Sequence, residues 1–226
     1  MAARKEATAR KSKSTGVKGA KPATKNKTPL LPPAYTTFIK NTGWRTLGAL
    51  SLAMAGGFLL ALISYNPFDP GVNNLTDAPV QNWLGTIGAN VSDVLMQTLA
   101  LVAYLLVLPF TIWGFKVVRL KWLPLFWLNL SMLPIALVLL AIAASVEAPT
   151  ADFVIQAGYG GALGQQLWAG INTLMESVAV VVPWWTAGLI FLILGLPIYA
   201  FSLGLTKQEW QAIGALIKAA IVTTVA

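Results

Sequence analysis

The chain has 226 residues, of which 56% are hydrophobic and 11% charged, with a formal net charge of +8. Soluble domains carry about 25% charged residues, so this balance excludes an ordinary water-soluble globule. Cysteine and histidine are both absent. Disulfides, thiol nucleophiles and the usual soft metal sites are therefore ruled out, and neither a metal nor a cofactor is expected.

Residues 1–40 read as a disordered basic tail. Residues 1–45 hold eleven Lys or Arg against one acid, Glu6. Lys, Ala, Thr, Ser, Gly and Pro dominate up to Leu30, which leaves too little apolar surface to offset chain entropy. The stretch is too long and polar for the n-region of a signal peptide. A transit peptide would also be basic and acid-poor, but here Lys outnumbers Arg and no amphipathic period is visible. The composition favours a cytoplasmic leader that holds weakly to anionic lipid over one that grips DNA through its lysines.

Four runs are long enough to cross a bilayer, which takes about 20 apolar residues. They cover roughly 46–65, 94–115, 122–145 and 179–205. No Lys or Arg falls between Thr46 and Phe115, and none between Trp122 and Thr206. The turn between the second and third runs is "KVVRLK", with Lys116, Arg119 and Lys121, and Lys207 and Lys218 follow the fourth. Six acids lie in the other loops: Asp69, Asp77, Asp93, Glu147, Asp152 and Glu176. Since Lys and Arg mark cytoplasmic loops, both termini and the short turn are expected inside and the two longer loops outside. The expected fold is an all-α membrane protein with four transmembrane helices and short interfacial helices in its two outer loops. Residues 41–205 would form the membrane domain, and 206–226 the start of a cytoplasmic linker or an amphipathic helix.

"SYNPFDP", Ser64 to Pro70, ends the first run. Tyr65 suits the membrane interface, Pro67 and Pro70 cannot continue a helix, and Asp69 cannot remain in hydrocarbon. This motif is either punctuation alone or a docking surface. In the second case Asp69 is an exposed carboxylate, pre-ordered by its flanking prolines to meet a donor on a partner. Asp77 then reads as a helix N-cap with Pro79 near the first helical position. Val80, Trp83, Leu84 and Ile87 follow at helical spacing, and Gly85 and Gly88 would let backbones approach closely. In the second outer loop "GYGGALGQQL" places Gly158, Gly160 and Gly161 in a glycine-rich turn before a second amphipathic stretch. A phosphate cradle would need a strand–loop–helix setting and a Lys after the glycines, and neither is present.

Inside the runs the polar residues are few, and no ionisable group is expected in the span interiors. Asn129 is the most informative of the polar residues. It either bonds between protomers or lines a pore, or else makes a contact within one four-helix bundle.

"SYNPFDP" after the first run, "APVQNWLGTIGANVSDVL" before the second, "LLVLPFTIWGFKVVR" at its end and "GYGGALGQQL" in the second outer loop resemble the amino-terminal four-helix membrane domain of FtsK/SpoIIIE-type DNA translocases. The resemblance covers about residues 40–205. It implies a domain that anchors its protein in the inner membrane at the bacterial division septum, oligomerises and helps to assemble the division machinery. In that family a linker and a cytoplasmic ring ATPase follow, and these pump double-stranded DNA. The implied partners are membrane lipids, further copies of the chain and other division proteins, with DNA met only indirectly or weakly through the tail.

This chain departs from the family pattern in its extent. No G-x-x-x-x-G-K-[ST] occurs before Ala226, and "GVKGAK" at Gly16 to Lys21 is too short. We therefore expect a membrane domain without its motor and no enzyme activity. The interaction candidates are Pro67, Asp69, Pro70, Gly85, Gly88, Asn129, Gly158, Gly160 and Gly161. The alternative is a small independent four-span channel or transporter. The lack of ionisable residues within the spans weighs against it.

Overall fold

The structure is a computed structural model and describes residues 32–72, 74–150, 153, 155, 157–179 and 183–225. The tail before residue 32 lies outside the described residues. All regular elements among the described residues are helical. Helix α1 spans Pro33–Ile63, α2 Gly85–Leu99, α3 Val107–Val118 and α4 Phe126–Ser145. Helix α5 spans Gly161–Ser177, α6 Trp184–Ser202 and α7 Lys207–Val225. A 3₁₀ segment, Ala100–Leu106, joins α2 to α3 into one rod, Gly85–Val118.

Four helices are long and apolar enough to cross a membrane: Ala34–Ile63, Gly85–Val118, Phe126–Ser145 and Trp185–Ser202. The expected four crossings are therefore present, with shifted boundaries. Helix α1 starts at Pro33, inside the stretch assigned to the tail, because a proline at the first helical position needs no N–H partner. Its 31 residues span about 46 Å, longer than the roughly 30 Å of the hydrocarbon core. Helix α2 begins at Gly85 rather than near Pro79, and Asp77 caps nothing. Of the amphipathic stretch in the first long loop, Val80, Trp83 and Leu84 precede the helix and Ile87 lies in the first turn of the second crossing. The second outer loop keeps a separate helix, α5.

The main packing pairs are α4 with α6 and α1 with α3, and α5 leans on α4 and α2. Small residues set these distances. Gly48 of α1 faces the backbone of Gly114 and Val118 on α3, where any Cβ would collide. Gly195 of α6 meets Leu140 of α4. Ala100, Ala103, Ala136 and Ala141 are fully enclosed in the core. In lipid, burial of apolar surface gives no net drive, so helices associate through close packing, which small residues permit, and through hydrogen bonds between them. A run of rings ties three helices together: Phe58–Phe110 at 5.5 Å, Phe110–Trp113 at 5.9 Å and Trp113–Phe126 at 5.6 Å between centroids. The outward faces carry Leu47, Leu50, Leu189 and Ile193, an apolar coat suited to acyl chains.

Candidate functional site

Three polar junctions interrupt the apolar bundle, and the candidate residues fall almost entirely within them. The first is a clasp between the end of α1 and the start of α2. Helix α1 ends at Ile63, where the Ser64 backbone N–H and Oγ both reach the Leu60 carbonyl, at 3.1 and 2.7 Å. Asn66 closes a turn through the Phe68 N–H, at 3.0 Å. Asp69 then turns inward. Its two carboxylate oxygens accept the backbone N–H groups of Gln81 and Asn82, at 2.8 and 2.9 Å, and the residue is only 6% exposed.

The reading of Asp69 as an exposed docking charge is therefore corrected. The carboxylate serves the fold of its own loop, because a buried charge needs donors and two lie within reach. Asn82, also buried, donates to the carbonyls of Ala61 and Ser64 and to Ser92 Oγ, while its Oδ1 accepts the Leu84 N–H. Asp69 and Asn82 together bind the end of α1 to the start of α2. Pro67 and Pro70 flank this turn, and Asn74 Nδ2 returns to the Pro67 and Asp69 carbonyls.

Gly88 is packed against the Asn82 side chain and Leu84, so the close approach expected of it is to its own loop and not to another helix. Gly85 meets nothing within 4 Å; its φ of +64° is what calls for glycine at the helix start. Tyr65 lies beside this clasp, where burial, and then the charge of Asp93, push its phenol up from 10.0. Asp93 itself lies midway along α2, within the Gly85–Val118 crossing, where it is buried and accepts from Gln97 Nε2 at 2.7 Å, so the expectation of no ionisable group inside the spans is corrected here.

The second junction is a break inside the second crossing. At Ala100 the backbone takes φ +48° and ψ −123°, and the α-helix gives way to the 3₁₀ segment. Such backbone is costly for a non-glycine residue and persists only where its surroundings fix it. The surroundings here are the glycine turn of the second outer loop. The Leu101 N–H donates to the Tyr159 carbonyl at 3.2 Å. Gly161, at φ +68°, lies against the Thr98–Leu99 backbone, and Gly160 and Gly164 lie against the Ala141 carbonyl and Ser145 Oγ of α4. No side chain fits at these three positions.

Gly158, at φ +76°, turns the chain into this wedge, and Phe153 packs on Tyr159 at 4.6 Å. Tyr199 of α6 donates to the Leu105 carbonyl at 2.7 Å, and Tyr104 donates to the Leu62 carbonyl at 2.8 Å. Irregular backbone at membrane depth is tolerated only where protein encloses it, and these partners provide that. The glycines therefore form the expected turn, and it is seated inside the bundle.

The third junction is at the opposite end of the bundle. Lys116, 5% exposed near the end of α3, places Nζ 2.6 Å from the Gly204 carbonyl and 2.6 Å from Glu209 Oε2. Glu209 also accepts from the N–H and Oγ of Thr206, a capping box that starts α7. Burial raises the Glu209 pKa, but the Lys116 and Thr206 hydrogen bonds outweigh it and hold the carboxyl down to about 2. Asn129 supports the same turn from α4. It is 2% exposed, donates to the Pro124 carbonyl at 2.9 Å and lies directly under Gly204. Of the alternatives for Asn129, the structure has the contact within one bundle.

Sequence reasoning did not single out Asn82, Ala100 or Tyr159, nor, beyond reading Lys116 as a mark of orientation, Lys116 or Glu209. Only the last pair carried a local signal: T-x-x-E at 206–209 is a capping-box pattern, and Lys116 is the first cation after the apolar second run. Among the described residues no group of three or more His, Cys, Asp or Glu could hold a metal ion.

Four apolar crossings, joined by a clasped first loop, an inserted second long loop and a latched turn at the opposite end, define a multi-pass helical membrane module. The chain belongs to the family of the 4TM region of DNA translocase FtsK/SpoIIIE, whose family model matches residues 42–211. It is similar to the DNA translocase FtsK of Azospirillum brasilense, 29% identical over 210 residues, which cover 86% of this chain and 31% of the relative. It is also similar to the DNA translocase FtsK of Caulobacter vibrioides, 29% identical over 183 residues, covering 78% of this chain and 22% of the relative. A third relative, the DNA translocase FtsK of Brucella melitensis, is 35% identical over 122 residues, or 54% of this chain and 15% of the relative. The chain thus spans less than a third of the length of these relatives. No solved structure matches it.

Proposed function

We propose that this chain is the anchoring and oligomerising domain of a septal DNA translocase, set in the bacterial inner membrane with both termini in the cytoplasm. The observation that carries the reading is the coincidence of the matched region, residues 42–211, with the four crossings and with α7's latched start. The charge asymmetry supports the orientation: Lys116, Arg119, Lys121, Lys207 and Lys218 fall at one end of the bundle, while Asp69, Asp77, Glu147 and Glu176 belong to the loops at the other. The domain holds no phosphate-binding loop within its 226 residues, so its part in the process is mechanical. It fixes a motor to the membrane, and copies associate so that motor subunits share one place. Lipids, further copies and other division proteins are its direct partners, and DNA is met only through the basic tail or the motor.

A fluorescent fusion of the chain tests this reading. It collects at midcell in dividing cells, and crosslinking in membranes gives ladders of copies. Uniform membrane fluorescence together with a strictly monomeric pattern would overturn it.

A further inference from the structure

Helix α7 has an apolar face that no other helix among the described residues packs against, and its chemistry identifies what covers it. Trp210, Ile213, Ile217 and Ile221 recur at spacings of three and four, so they form one stripe, and each is exposed by 36% or more. Lys207 and Lys218, eleven residues apart, stand at one edge of that stripe. Ala212, Ala215 and Ala219 occupy the opposite side.

The one acid of α7, Glu209, is already committed to Lys116. The free charge of the helix is therefore positive. Arg119 and Lys121, exposed in the neighbouring turn, add to it.

The position of α7 decides between a protein and a lipid surface. Four residues separate Ser202, the end of the last crossing, from Lys207. That connection is not slack. Gly204 turns at φ +65°, its carbonyl is held by Lys116, and Asn129 packs beneath it. The helix thus begins at the level where the crossings leave the hydrocarbon, on the same side as the Arg119–Lys121 turn.

We infer that α7 lies in the membrane interface, its Trp210–Ile213–Ile217–Ile221 stripe among acyl chains and Lys207 and Lys218 among anionic headgroups. A basic amphipathic helix with an aromatic anchor is the kind of segment that takes this place. About 28 Å of helix is laid against the surface, and its apolar face continues the lipid-facing coat of the bundle. The Lys116–Glu209 pair fixes the point where the chain turns from crossing the membrane to lying on it. This inference goes beyond septal anchoring and holds whether or not the chain gathers at midcell.

The absence of native cysteine makes the test clean. Ile217→Cys and Ala219→Cys are spin-labelled separately in the full chain, reconstituted in vesicles of phosphatidylcholine with phosphatidylglycerol. Collision rates with oxygen and with a water-soluble nickel chelate are then compared. Oxygen exceeds nickel at position 217, and nickel exceeds oxygen at position 219. Adding Lys207→Gln and Lys218→Gln lowers the docked-to-free ratio by roughly fivefold for each lysine removed, and high salt has the same effect. Equal access of nickel to both sites would overturn the inference, since the helix would then stand in water. So would spectral broadening at position 217 that disappears on dilution with unlabelled protein, since a second copy would then cover the stripe.

Discussion

Lys116 and Glu209 lie 93 residues apart in sequence and 2.6 Å apart in space, and the pair closes the end of the bundle opposite the Asp69 clasp. Lys116 is buried and Glu209 is 29% exposed at its side chain, so one partner depends on the other more than the reverse. A buried ammonium without its counter-charge is costly, whereas Glu209 can turn to water.

The first prediction concerns this pair. Glu209→Gln lowers stability by about 1.5 kcal/mol, the lower end for a charge-assisted hydrogen bond, because water reaches Glu209. Lys116→Met removes the charge along with its need for a partner. In a double-mutant cycle by thermal unfolding in detergent, the Glu209→Gln penalty therefore largely disappears in the Lys116→Met background. Strict additivity would show that the pair is not coupled.

The pH dependence follows from the same geometry. The Glu209 carboxyl has a pKa of about 2 in the folded chain, against an ordinary value of 4.5. The folded state therefore gains from an ionised Glu209 at any pH above 4.5, and loses this gain as pH falls towards 2. The stability difference between the native chain and Glu209→Gln is flat from neutral pH down to about 5 and shrinks below that. A difference that grew on acidification would contradict the latch.

The Asp69–Asn82 clasp gives a third test. Asp69→Asn sets an amide nitrogen against a backbone N–H of Gln81 or Asn82, which costs about 1–3 kcal/mol. The crossings still insert, but residues 64–84 become open to added protease. Asn82→Ala has the same effect, because it frees the Ala61 and Ser64 carbonyls. Unchanged protease resistance in both variants would show that the clasp does not hold the loop.

The break in the second crossing separates glycines by role. Gly161→Ala forces a Cβ into the Thr98–Leu99 backbone at a positive φ and costs upwards of about 2 kcal/mol. Gly170, in the middle of α5 with nothing within 4 Å, is the control. There Ala is neutral or stabilises by up to about 1 kcal/mol. Ala100→Gly relieves the positive φ and is tolerated, while Ala136→Gly, at a fully enclosed position in a regular helix, is destabilising by about 1 kcal/mol. Equal effects at 100 and 136 would remove the strain argument.

The parts of this fold that were legible in the sequence are those set by the bilayer. The length of apolar runs and the grouping of Lys116, Arg119 and Lys121 are one-dimensional signals, and the four crossings followed from them. The role of Asp69 was not legible. Its donors are backbone N–H groups 12 and 13 residues later, and backbone groups leave no mark in a sequence. The break at Ala100 was equally hidden, because "TLALVAYLLV" is uniformly apolar and the residue that stabilises the break, Tyr159, arrives from another loop. The glycines of "GYGGALG" were visible as a turn. What they turn into is decided by Thr98, Ala141 and Ser145, which only packing brings near. The Lys116–Glu209 latch was half visible, through the capping box at Thr206.

The central proposal is a four-crossing module whose Lys116–Lys121 turn and α7 share one face, proposed to be the cytoplasmic one, with the clasp and the glycine wedge on the other. Single cysteines at Leu75, Leu174, Trp122 and Leu216, all strongly exposed, test it in one experiment. In spheroplasts a membrane-impermeant maleimide labels Leu75→Cys and Leu174→Cys at once, and labels Trp122→Cys and Leu216→Cys only after the membrane is opened. Labelling of Leu216→Cys from outside intact spheroplasts would contradict the account.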